Sequence, residues 1–96
     1  MTGRERSWRV PVRTRLLWRS YEEHFIVYNC ASGQTHYLNL LAAMALQQME
    51  ERPATIDELG QRIRVQAGVD DIAGLAQLPA LVAQLDELGL IAPTPP

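Results

Sequence analysis

The chain predicts an α+β domain, an antiparallel sheet followed by helices. Three observations lead there. Residues 14 to 38 hold three short runs with strand character, separated by turn-forming residues. Residues 40 to 91 hold apolar positions that recur at helical spacing. The change from one rhythm to the other falls at Asn39, with no loop between.

The first run, "TRLLWRSY", alternates: Leu16 and Trp18 point one way, and Arg13, Arg15, Leu17 and Arg19 point the other. That predicts a strand with one buried face and one arginine-bearing face. "YEEH" makes a turn, and "HFIVYN" follows as a short run apolar on both faces, which predicts a central, well-covered strand. "CASGQ" is the next turn, where Gly33 is free to take positive φ. "QTHYLN" is the third strand. Short loops predict that the three pair as an antiparallel meander. Upstream, "SWRV" is a candidate fourth strand, set apart by Pro11.

Asn39 is a good N-cap for "LLAAMALQQMEE", and Pro53 stops that helix. "TIDE" is a capping-box pattern in which Thr55 and Glu58 serve each other's backbone, and it opens a second helix running from 56 to about 66, ended by Gly68. "DDIAGLAQLPALVAQLDELGL" carries a broad leucine stripe, with Pro79 predicting a break or a helix start nearby. Gly89 stands where a helix-terminating glycine belongs, with Leu90 folding back on the last turn. Residues 1–96 are expected to form a single domain, with 1–6 and 93–96 frayed. Strands followed by a run of helices predict helices packed on one sheet face.

Composition narrows the function classes. Hydrophobic residues make up 47% of the 96, ordinary for a globular domain. No stretch approaches the roughly 20 apolar residues of a membrane span. "MTGRERSWRV" lacks an apolar signal core, and the one cysteine, Cys30, excludes an internal disulfide; both predict a cytoplasmic setting. All nine basic residues are arginine, six of them (Arg4, Arg6, Arg9, Arg13, Arg15, Arg19) within the first 20 residues. From Val65 onward there is none, while Asp70, Asp71, Asp86 and Glu87 are acidic.

No catalytic constellation is visible. Glu22-Glu23 and Asp70-Asp71 are adjacent pairs whose side chains diverge, and there is no phosphate loop or nucleophile elbow. His24 and Cys30 share a strand parity, and His36 lies on the neighbouring strand, but six extended residues place His24 and Cys30 about 20 Å apart. A buried cysteine and two ordinary histidines are expected instead, with no metal or cofactor. A small sheet with three helices is the layout of a winged helix, which invites a DNA-binding reading. The third helix has no basic residue, and its Asp86 and Glu87 would repel phosphates, so the N-terminal arginines are the remaining nucleic-acid candidate.

Peptide binding is the third class. The last strand of a meander is an edge unless the N-terminal segment covers it, and an incoming peptide could add to it as one more strand. At 100° per residue, Leu78, Val82 and Leu85 lie at the centre of the third helix's stripe, and Leu81, Gln84 and Leu88 along one margin. That margin beside an edge strand would make a groove; equally, Leu81 and Leu88 could be more core.

"GQTHYLN" (33–39) leading into "LAAMAL" (41–46), "TIDELGQRI" (55–63) and "LVAQLDELGLI" (81–91) resemble the PqqD-like peptide chaperones, small winged-helix-like domains also described as precursor-peptide recognition elements. "LLWRSYEEHFIVYNCASGQTH" resembles the subgroup associated with an HPr-kinase-related system. The resemblance implies a winged-helix-like α+β fold, no enzymatic activity, and capture of the leader of a ribosomally made precursor peptide for presentation to a modifying or HPr-kinase-related enzyme. It implicates Gln34, Thr35, His36, Tyr37 and Leu38 through their backbones, and Leu81, Gln84, Leu85 and Leu88 through side chains. The alternatives are a nucleic-acid-binding or regulatory winged helix, and a docking subunit for a partner enzyme. An uncapped edge could also pair two copies as a homodimer.

Overall fold

The computed structural model describes residues 6–11, 14–22, 24–67 and 76–94. Its element order is β1 (Ser7–Arg9), β2 (Leu16–Tyr21), β3 (His24–Asn29), β4 (Gln34–Leu38), α1 (Leu40–Glu51), β5 (Ala54–Thr55), α2 (Ile56–Ala67), α3 (Leu78–Glu87) and β6 (Ala92–Pro93). The expected α+β class holds: an antiparallel meander β2-β3-β4 runs into helices. Arg4, Arg13, Glu23, the Gly68 helix end and the Asp70-Asp71 pair lie outside the described residues.

The meander's register pairs Leu16 with Asn29 through to Tyr21 with His24, and Phe25 with Leu38 through to Asn29 with Gln34. The β2–β3 turn passes through Glu22 at φ 56°, a conformation unusual for a residue with a side chain. At the β3–β4 turn the buried Asn29 folds back on its own chain: its Oδ1 accepts from the amides of Ala31 (2.9 Å) and Ser32 (3.3 Å). Gly33, at φ 77°, closes the loop with its amide on the Asn29 carbonyl at 2.7 Å.

Each helix start is fixed by the residues that the sequence singles out. Asn39 Oδ1 accepts from the Ala42 amide at 2.8 Å, capping α1 directly from the strand. At α2, the Thr55 amide donates to Glu58 Oε1 (2.8 Å) while the Glu58 amide donates to Thr55 Oγ1 (3.1 Å). Pro79 sits in the first turn of α3, where its missing N–H costs nothing. At the other end, the Gly89 amide bonds to the Asp86 carbonyl and the Leu90 amide to the Leu85 carbonyl, with Gly89 at φ 78°. This double closure tucks Leu90 fully into the core.

One apolar core joins the sheet to the helices: Val27 and Leu38 from the strands, Leu46 and Met49 from α1, Leu59 and Ile63 from α2, and Leu78, Val82 and Leu85 from α3. Helix α1 packs on β3 and β4, and α2 packs on both α1 and α3. Trp18 Nε1 donates to Glu50 Oε1 at 3.0 Å, tying β2 to the end of α1.

Three expectations need correction. The N-terminal strand exists, but not as a fourth strand of the meander: β1 is the centre of a second small sheet, β5-β1-β6, pairing Ser7 with Thr55 and Trp8 with both Ala54 and Pro93. The tail is correspondingly not frayed at 93–94, since the Thr94 amide donates to the Ser7 carbonyl at 3.0 Å and the two side-chain hydroxyls meet. Pro93 is tolerated because β6 is an edge. Finally, β3 is central but covered on one side only: Val27 is fully buried on its inner face, while Tyr28 on its outer face is exposed.

Candidate functional site

The ladder fixes which way the main chain of β4 faces. The Cys30 amide donates to the Arg15 carbonyl at 2.8 Å, and these residues stand opposite each other if the β2–β3 register is continued. Main-chain groups alternate sides along a strand, so even residues of β3 bond toward β2 and odd ones toward β4. Through the pairs Asn29–Gln34, Val27–His36 and Phe25–Leu38, the even residues of β4 bond back to β3. Thr35 and Tyr37 therefore turn their amides and carbonyls to the outer side of β4, where no strand pairs among the described residues. The N-terminal segment, the obvious candidate to cover this rim, is engaged with β5 and β6 instead.

The two rims of the meander differ. β2 carries the exposed Arg19, with the exposed Arg15 just before it, and charge is a common guard against strand pairing. β4, "QTHYL", has no charged residue and no proline. Its side chains alternate. Thr35 and Tyr37 lie on the outer face, Tyr37 being 74% exposed, and His36 and Leu38 turn inward, Leu38 into the core. The outer face continues in rows, Leu17–Tyr28–Thr35 and Arg19–Ile26–Tyr37; the inner face holds Trp18–Val27–His36. His36 Nε2 is buried without a hydrogen-bond partner.

The helix side of the expected groove is narrower than its sequence suggests. Leu85 (1% exposed) and Leu81 (9%) lie inside the core, leaving the exposed Gln84 and the half-buried Leu88 as the accessible members. The stripe turns further inward because α3 packs on α2 as well as on the shared core. β4 has α1 as its main helical neighbour, so strand and α3 meet through the common core that holds Leu38, Leu81 and Leu85. Sequence reasoning weighed the His36 side chain only as a metal ligand, and within the peptide site named its backbone alone. Its even position, shared with Leu38 on an alternating strand, was the available signal.

The histidines do not converge. His24 falls on the outer face of the sheet and His36 on the inner. Cys30 is exposed in the turn after β3, contrary to the buried cysteine expected, because pairing with β4 ends at Asn29 and the asparagine takes the buried position. Among the described residues no three His, Cys, Asp or Glu side chains gather as metal ligands, and no helix is long and apolar enough to cross a membrane. Among the described residues, two open hollows line α2, one of about 500 Å³ against α1 (Gln48, Arg52, Arg62 and Val65 among its walls) and one of about 440 Å³ against the start of α3 (Ile56, Gly60 and Pro79). Neither is lined by β4.

No protein-family model, no curated protein and no solved structure matches the chain.

Proposed function

We propose that this domain is a non-catalytic peptide-binding protein. It captures an extended segment of a ribosomally made precursor peptide as an added strand on β4 and presents it, in the cytoplasm, to a modifying or HPr-kinase-related enzyme. The supporting observation is the uncharged rim of β4, where the outward amides and carbonyls of Thr35 and Tyr37 have no strand partner among the described residues, while Ser7–Arg9 is occupied in the second sheet. Main-chain pairing supplies affinity that is largely independent of sequence, and side chains on the two faces supply selection. Gln34 and Leu38 bound the pairing segment, and Gln84 and Leu88 are the α3 side chains available to the ligand.

Titration with peptides encoded beside the gene, followed by amide NMR shifts, tests this. Shifts clustered at 34–38, with weaker ones at 80–88, are expected. Peptides that leave 34–38 unmoved, together with DNA that moves Arg15 and Arg19, would replace peptide capture with a nucleic-acid role.

A further inference from the structure

Resting on that role for β4, we propose that the captured strand carries a hydrogen-bonding side chain (hydroxyl, amide or carboxylate) directly opposite His36, and that His36 Nε2 selects for it. Buried polar atoms nearly always have a partner, so an orphaned one asks for an explanation. Nε2 of His36 has none, whereas the buried Asn29 two rows of the same hairpin away uses its oxygen twice. Among the described residues the other such atom, Arg9 Nε, belongs to the second sheet. Within its own row His36 meets Val27, then Trp18, and the row ends at the rim. Valine has nothing to offer a nitrogen. The next member of that row is a residue of the added strand.

The register brings that residue close. Thr35 and Tyr37 bond outward, so in an antiparallel added strand the residue between their partners faces His36 in a non-hydrogen-bonded pair. Such pairs have the closest Cα approach in a sheet, about 4.5 Å. The contact is on the inner face, the same face as Val27 and Leu38; Nε2 is closed off in the free domain, so the half-buried imidazole turns toward the added strand to make it. A site built around a buried polar atom discriminates strongly against a ligand that leaves it unpaired. The preceding ligand residue lies outward beside Tyr37, in the row with Ile26, and there an aromatic or β-branched side chain gains most. The ligand signature is therefore two consecutive residues, aromatic or β-branched and then polar.

Display selection of random dodecapeptides on the wild-type protein and on His36→Phe tests the proposal, with amide shifts at 35 and 37 locating the bound peptide. The wild type is expected to enrich the two-residue signature, and His36→Phe to replace its polar member by an apolar one. In a selected peptide, changing the polar residue to alanine should weaken wild-type binding by about 10-fold and His36→Phe binding by less than about twofold. The alanine peptide needs no protein variant, and His36→Gln, which keeps a hydrogen-bonding group, should retain part of the discrimination. Equal binding of the polar and alanine peptides to the wild type, with Thr35 and Tyr37 still shifted, overturns the His36 assignment and leaves strand capture standing. No selected peptide shifting 35 and 37 overturns both.

Discussion

Asn39 joins the candidate rim to the body of the domain. Its side chain caps α1 one residue after β4 ends, so the strand's last residue and the helix's first turn are fixed together. Asn39→Ala removes the acceptor for the Ala42 amide and should lower stability by about 1 kcal/mol, read as a shifted denaturation midpoint. Faster hydrogen exchange at Leu38 and Ala42 should accompany it. Glu58 makes a pH-dependent contribution of the same kind. The Thr55 amide donating to its carboxylate, chiefly, holds its pKa below the ordinary carboxylate value; burial opposes this, and the charge of Arg62 adds to the lowering by less than burial takes away. A depressed folded-state pKa stabilises above the unfolded value, and that gain is lost as pH falls through the folded one. Wild type should therefore exceed Glu58→Gln modestly in melting temperature at neutral pH. The gap should close as pH drops below about 4, the ordinary carboxylate range. A gap unchanged at acid pH would mean that the charge on Glu58 plays no part.

At the level of elements, the alternation of main-chain direction along β4 separates two proline substitutions one residue apart. Tyr37→Pro removes an amide that faces the open side, and an edge strand accepts proline there. The variant should fold with a melting temperature near wild type yet bind peptide several-fold more weakly. His36→Pro removes an amide bonded to Val27 across the ladder and should unfold the hairpin, seen as loss of dispersed amide signals for 24–38. Equal behaviour of the two variants would mean that the ladder parity is wrong. These same elements show where sequence is informative. The three strands of the meander and the caps at Asn39, Thr55 and Gly89 were legible because each signal is local: a period of two, a side chain reaching three residues, a glycine after a stripe. Helical projection found Leu78, Val82 and Leu85 in the core but left Leu81 open between groove and core, since the width of a buried face depends on how many elements pack against it. β5 and β6 are two residues long and have no period to detect. Their partner β1 is recognisable only once distant parts of the chain have met.

At the level of the whole molecule, β1 decides whether the rim of β4 stays open. Ser7–Arg9 is held between β5 and β6, and Thr94 closes the clasp on Ser7 through both main chain and side chain. A chain ending at Ile91 loses β6 and Thr94, and with them one of the two sides of β1. At roughly 0.5–1.5 kcal/mol for each hydrogen bond lost, the truncated chain should be less stable by about 1–3 kcal/mol. For a domain of this size that corresponds to a melting temperature lower by very roughly 5–20 °C. Because β1 and β4 belong to different sheets, amide shifts on truncation should concentrate at 6–11 and 54–55, with 34–38 unmoved and peptide affinity retained at temperatures where the truncated chain is folded. Loss of affinity together with new shifts at Thr35 and Tyr37 would show the opposite: a released N-terminus able to pair with β4. The clasp would then guard the rim as well as stabilise the fold.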